Sequence, residues 1–196
     1  VEVGGTLRVI ETDLPAFDAP NLRRVGWMAL FRSNPLLLRL DAPEFEEIGA
    51  QLHIAGNGSI ESVDLRSLRT VALLGIDGAE RLEGIFMEGQ PTLETVDFSA
   101  LEEVPGLINI NQHVGLSELV FPSLETTAGL QVDANRRLTT ADFPVLEEVT
   151  GDIRIDHIGY EHREDWGDPE HPLAVLLPAL EHVGGSVFMD KSTSVT

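Results

Sequence analysis

The chain reads as a mainly β, parallel solenoid built from coils of 22–23 residues, and three observations lead to that fold. First, an octad recurs in seven copies: 18–25 (DAPNLRRV), 41–48 (DAPEFEEI), 64–71 (DLRSLRTV), 97–104 (DFSALEEV), 120–127 (VFPSLETT), 142–149 (DFPVLEEV) and 176–183 (LLPALEHV). Their starts lie 23, 23, 33, 23, 22 and 34 residues apart, so two intervals are longer than the basic period by 11. Second, a short apolar alternation follows each octad. Third, Asn and Pro recur at fixed phases. A fixed period of this size marks a solenoid, in which each unit buries its apolar edge only by stacking on its neighbours.

The unit is clearest over 142–155, DFPVLEEVTGDIRI. Phe143-Pro144-x-Leu146-x-x-Val149 closes one segment, Gly151 is expected to turn the chain, and Ile153-x-Ile155 opens a strand buried on one side. Val3-Gly4-Gly5-Thr6-Leu7-Arg8-Val9 matches Val149-Thr150-Gly151-Asp152-Ile153-Arg154-Ile155 position for position. The chain therefore opens inside a repeat, and its first coil is partial.

Further openings are Ala29-x-Phe31, Leu52-x-Ile54, Ile85-x-Met87, Ile108-x-Ile110, Leu130-x-Val132 and Val187-x-Met189, each expected to point two side chains inward. Eight residues after the first strand position another apolar residue lines a turn, as at Ile60, Leu93, Leu116 and Leu138. Three residues on, a second strand begins, as in Val63-Asp64-Leu65 and Val96-Asp97-Phe98. Each coil thus has at least two strand faces.

Asn34, Asn57 and Asn135 share one phase and predict an Asn stack, because Asn tolerates a left-handed corner and its amide satisfies backbone groups that no ladder reaches. Pro20, Pro43, Pro122, Pro144 and Pro178 share another phase, where a missing N–H costs nothing as the strand ends. Both have structural explanations. Two irregular insertions interrupt the period, at 72–84 and at 156–171 (DHIGYEHREDWGDPEH), the second of which should leave the coil as an exposed loop.

Length and 42% hydrophobic content suit one elongated domain over 1–196. The charge of −20, from 33 acids against 13 bases of which only Lys191 is lysine, argues against nucleic acid and anionic lipid as partners. No stretch approaches the roughly 18 apolar residues of a membrane span, so no membrane insertion is expected within the chain. A targeting segment is expected outside a chain that starts at Val1. Absence of cysteine excludes disulfides and thiolate metal sites.

The consensus F-P-x-L-x-x-V-x-G-x-L-x-I-x-x-N-x-x-L-x-x-L, seen best in 143–155 and 121–138, resembles the receptor L-domain family, the ligand-binding lobes of insulin-receptor and EGF-receptor ectodomains, with related repeats in fungal cell-wall proteins. The likeness spans almost the whole chain and implies a right-handed, β-helix-like or leucine-rich-repeat-like solenoid. It also implies an extracellular or cell-surface setting and a role in binding proteins or glycans. No binding residue follows from it, because the family has no invariant ligand motif.

Candidate site residues come from the strand pattern. Between the two inward residues of each opening sits an outward one: Arg8, Leu30, His53, Phe86, Asn109, Gln131, Arg154 and Phe188. Stacked about 4.8 Å apart they would form one sheet face. Apolar Leu30, Phe86 and Phe188 among polar neighbours suit a recognition surface, against the plainer reading of isolated surface residues or cover beneath a loop. A second outward column holds Glu88, Asn111, Asp133 and Asp156. Asp133 and Asp156 would mimic the paired carboxylates of β-helix glycoside hydrolases, but no accompanying base, nucleophile or Gly-rich phosphate loop appears, and solvated surface acids are the plainer reading.

In the 156–171 insertion, Tyr160 and Trp166 add binding candidates, while His157, His162 and His171 follow no known ligand spacing, so no metal or cofactor is assigned. His53, His113 and His182 read as ordinary surface residues. The expectation is a non-enzymatic, extracellular or cell-surface binding module for a protein or carbohydrate. Its contact set would be Leu30, His53, Phe86, Asn109, Gln131, Arg154, Tyr160 and Trp166. The alternatives are a β-helix carbohydrate-active hydrolase and a structural spacer of a longer surface protein.

Overall fold

A computed structural model of the chain describes residues 1–77, 92–113, 115–133, 135, 137–156, 173–190 and 194–195. All regular structure among them is strand, and every pairing is parallel, stacked as the β-solenoid that the repeat requires. Closing strands Glu2–Val3, Arg24–Val25, Glu148–Val149 and His182–Val183 and opening strands Leu7–Ile10, Met28–Arg32, Ile153–Asp156 and Val187–Asp190 belong to one 12-stranded sheet. In the middle coils the two merge into Glu47–Ala55, Thr70–Asp77, Glu103–Asn111 and Thr126–Asp133. The second face consists of two four-stranded sheets: Ala16–Asp18, Arg39–Asp41, Ser62–Asp64 and Thr95–Asp97, then Glu118–Val120, Thr140–Asp142, Ala174–Leu176 and Ser194–Val195.

Stacking in register turns the sequence pattern into interior columns. Leu7, Ala29, Leu52, Leu74, Ile108, Leu130, Ile153 and Val187 occupy successive places in one ladder. Ala29, Leu52, Ile108, Leu130 and Ile153 are fully buried. Each such Leu or Ile contributes roughly 1.5–3 kcal/mol by leaving water. Leu93, Leu116 and Leu138, the turn-lining residues, are fully buried as expected, and Ile60 nearly so. Phe98, Phe121 and Phe143 stack in another column, ring centroids 5.7 and 5.5 Å apart and planes within 8° and 6° of parallel.

The recurring Pro does more than mark a strand end. Leu22 N–H donates to the Ala19 carbonyl at 3.1 Å, Phe45 to Ala42 at 3.1 Å and Leu146 to Phe143 at 3.3 Å, which places Pro20, Pro43 and Pro144 second in a β-turn, where a fixed φ is favoured. The motif F-P-x-L is that turn with both apolar ends facing the core.

The Asn stack is present, with one change. Asn34, Asn57 and Asn135 are buried. Asn57 Oδ1 accepts from Asn34 N–H at 3.1 Å and from Asn34 Nδ2 at 2.9 Å, and Asn57 Nδ2 donates to the Phe31 carbonyl at 2.8 Å. The amide therefore clamps adjacent coils. The left-handed residue is the one before it, however: Ser33 at φ 55° and Gly56 at 62°, with Glu11 and Gln112 at the same phase. His113, read from sequence as a surface residue, is buried at the Asn position, its N–H donating to Asn135 Oδ1 at 3.0 Å.

Gly151 does not turn the chain through an unusual φ. A Cβ there would strike the Ala128 carbonyl, as one at Gly49 would strike that of Gly26, so glycine is kept because coils touch backbone to backbone.

The register around 72–84 differs from the sequence reading. Leu74-Gly75-Ile76, and not Ile85-x-Met87, fills the opening strand, pairing with Leu52-His53-Ile54 on one side and Ile108-Asn109-Ile110 on the other. Leu74 follows Val71 by three positions, as Leu130 follows Thr127. The ladder thus stays continuous before the period lengthens.

Candidate functional site

The outward column of the 12-stranded sheet is Arg8, Leu30, His53, Gly75, Asn109, Gln131, Arg154 and Phe188 in unbroken register. Gly75 stands where the sequence placed Phe86, so the N-terminal part of this face loses its expected aromatic. Phe86 itself lies outside the described residues, as do Tyr160, Trp166, Glu88 and the His157, His162 and His171 group. Leu30, His53, Asn109, Gln131 and Arg154 are half-buried, while Phe188 is 55% exposed.

Along this column the surface is concave in the C-terminal coils. A groove of about 350 Å³ is lined by Leu107, Ala128, Gly129, Leu130, Gln131, Asp152, Arg154 and Phe188. It runs along the stacking direction over four coils, with Leu107 at one end and Phe188 at the other. Its depth comes from small residues in the strand Thr126–Asp133: a Cβ on Gly129 would come within 3.0 Å of Leu107 Cδ1. The floor is a paired sheet, so its backbone groups are already engaged and only side chains are open to contact.

Polar groups in and beside the groove are fixed by their neighbours. Gln131 Nε2 donates to Asp133 Oδ2 at 2.8 Å, and Asn111 Nδ2 donates to Asn109 Oδ1 at 3.0 Å. Asp152 Oδ1 accepts the Ser186 N–H at 2.7 Å, tying the last coil to the one before it. These bonds hold the side chains in fixed rotamers.

Two residues further along, Asp77, Asn111, Asp133, Asp156 and Asp190 occupy consecutive places in the ladder. Asp133 is 6% exposed, so it is not the solvated surface acid that its position suggested. Asn111 Oδ1 is buried and has no hydrogen-bond partner among the described residues. Among the described residues no group of three or more His, Asp or Glu is placed to hold a metal ion. No helix among them is long and apolar enough to cross a membrane.

Two ion pairs on the other sheet perturb their carboxylates. Arg39 forms a two-pronged ion pair with Asp18, Nε to Oδ1 at 3.0 Å and Nη2 to Oδ2 at 2.8 Å, which holds the Asp18 carboxyl below the usual range. Arg66 does the same to Asp64, whose Oδ1 also accepts the Arg66 N–H. These pairs serve the turn and stack, and none borders the groove.

The chain matches no family model. Neither the curated proteins nor the solved structures include a significant match to it. Its site is therefore read from geometry alone. Sequence reasoning found Gln131, Arg154 and Phe188 through their alternation, but missed Leu107, Ala128, Gly129 and Asp152. The signal available was the pair of small residues at 128–129, where every neighbouring coil carries a larger residue at one of the two places.

Proposed function

We propose that the chain is a non-enzymatic recognition module of the extracellular or cell-surface kind, which binds a carbohydrate along the groove between Leu107 and Phe188. The observation that carries this reading is the groove's lining: one exposed aromatic ring, one amide, one guanidinium and one carboxylate over an apolar floor. Aromatic faces pack on the C–H faces of sugar rings, while amide, guanidinium and carboxylate pair with hydroxyls. An extended peptide is the weaker candidate here, because strand addition needs an open edge and the floor of this groove is already paired. The resemblance of F-P-x-L-x-x-V-x-G to receptor L-domain repeats supports the same setting.

A glycan array tests it. Wild-type protein is expected to retain a set of glycans that Phe188→Ala and Gly129→Val both lose, the second by filling the groove beside Leu107. Binding to no glycan, or equal binding by both variants, would overturn the proposal. Cleavage of a retained glycan that Asp133→Asn abolishes would favour the hydrolase instead.

A further inference from the structure

The open oxygens in the groove's lining belong to Asp152 and Gln131. Asp152 is held from both neighbouring coils: its carbonyl accepts the Leu130 N–H at 3.0 Å, and its Oδ1 accepts the Ser186 N–H at 2.7 Å. The residue is nonetheless exposed, and its Oδ2 accepts no hydrogen bond among the described residues. On the adjoining coil, Gln131 turns Nε2 to Asp133 Oδ2 at 2.8 Å, which leaves Oε1 without a donor among the described residues. Arg154, the cation in the lining, is not free. A ligand that pairs with both open oxygens must bring hydrogen-bond donors, and the carboxylate favours a charged one.

The charge around the groove has the same bias. Ahead of it along the strands, the octads 97–104, 120–127, 142–149 and 176–183 hold Glu102, Glu103, Glu125, Glu147, Glu148 and Glu181 and no Lys or Arg. The first three octads, by contrast, carry Arg23, Arg24, Arg66 and Arg69. Beyond the groove, Asp133, Asp156 and Asp190 follow one another in the ladder. The groove therefore lies between two lines of acids, in a field that draws cations and repels anions. A metal ion is not the cation that suits it, since among the described residues no group of three or more His, Asp or Glu is placed to hold one. What fits is an organic cation with several donors spread along it.

We infer that the groove takes glycans whose rings bear free amino groups, with an ammonium donating to Asp152 Oδ2 and a hydroxyl to Gln131 Oε1. This rests on the carbohydrate reading above and narrows it to one class of sugar. N-acetylation removes the ammonium charge and a uronic acid reverses it, so either change forfeits the contact with Asp152.

Isothermal titration calorimetry of the 196-residue chain at mildly acidic pH, where sugar amines are protonated, tests this with three oligosaccharides of equal length: a glucosamine oligomer, its fully N-acetylated form and a galacturonic acid oligomer. The glucosamine oligomer is expected to bind about tenfold tighter than the acetylated one, the worth of one hydrogen bond to a charged group, and the uronic acid oligomer not to bind. Asp152→Asn keeps an oxygen for the Ser186 N–H and should bring the first two to equal affinity with an unchanged circular dichroism spectrum. Glu148→Gln, outside the groove, should weaken amine binding less, and only at low salt. Wild-type binding of the acetylated oligomer as tightly as the amine, or an amine preference that survives Asp152→Asn, overturns the inference and leaves the carbohydrate reading standing. So does failure to bind the glucosamine oligomer while other glycans on the array are retained. Binding to no glycan at all overturns both. A lysine-rich peptide that binds as tightly as the amine, and loses as much with Asp152→Asn, overturns the choice of a glycan and gives the groove to a cationic protein segment.

Discussion

The N-terminal coils and the C-terminal coils share one backbone plan and fill it differently. In 41–48, DAPEFEEI, the small Ala42 stands beside the large Phe45, whereas in 142–149, DFPVLEEV, the large Phe143 stands beside the smaller Leu146. All four are buried at 1% exposure or less. Interior volume is conserved while its location moves, which is what a close-packed core permits. Outside, one column begins Val1, Arg23, Glu46, Arg69 and then runs Glu102, Glu125, Glu147, Glu181, each N–H donating to the carbonyl of the coil before. Signs alternate in the first coils and repeat in the last. Columns inside hold the fold, and columns outside are free to change from coil to coil, which is where a binding groove can be set without cost to the stack.

The largest effect should come from the aromatic column. Phe121→Ala removes the middle ring of three and is expected to cost about 3–5 kcal/mol in chemical denaturation. Ala42→Phe, the reverse change in the N-terminal coils, should cost about 1–3 kcal/mol by overpacking against Phe45. Equal and small losses from both would mean that the two regions do not pack as distinct solutions.

Next in size is the Asn clamp. Asn57→Ala strands the Asn34 backbone N–H and the Phe31 carbonyl and takes one of two acceptors from the Asn34 amide, which keeps its bond to Val9, at a cost of about 2–4 kcal/mol. Asn135→Ala strands the His113 N–H and the Ile110 carbonyl and should cost less. Urea midpoints in the reverse order would break the comparison.

The outer columns should respond weakly. Glu125→Arg places a cation between Glu102 and Glu147 and is expected to stabilise by up to about 1 kcal/mol, a gain that shrinks in high salt. Arg69→Glu, between Glu46 and Glu102, should lose a similar amount.

Smallest is the acid limb. The Asp18 carboxyl is held low by Arg39, so its contribution is present above its unfolded value of about 3.9 and fades as pH falls through the lower folded one. Arg39→Ala should raise the Asp18 titration seen by carboxyl NMR; an unmoved titration would deny the pairing any electrostatic role.

Much of this was legible in the chain. Octads, inward alternation and the Asn phase name the interior columns, because a period of 22–23 allows one way to bury Leu52, Ile108, Leu130 and Ile153 together. The misplacement of Phe86 has a physical cause: Leu74-x-Ile76 and Ile85-x-Met87 have the same alternation, and only the short step from Val71, set by the ladder, separates them. His113 escaped because it donates its backbone N–H to the same clamp as an asparagine would, while differing in letter. The groove escaped because depth arises from neighbours on three other coils, which no single repeat displays.

A double-mutant cycle tests the stack itself. If successive coils lie on one another, Phe98→Ala and Phe121→Ala, one step apart, should depart from additivity by about 0.5 kcal/mol or more, while Phe98→Ala and Phe143→Ala, two steps apart, should add more nearly. Additivity for the adjacent pair together with coupling for the distant one would contradict the order of the coils.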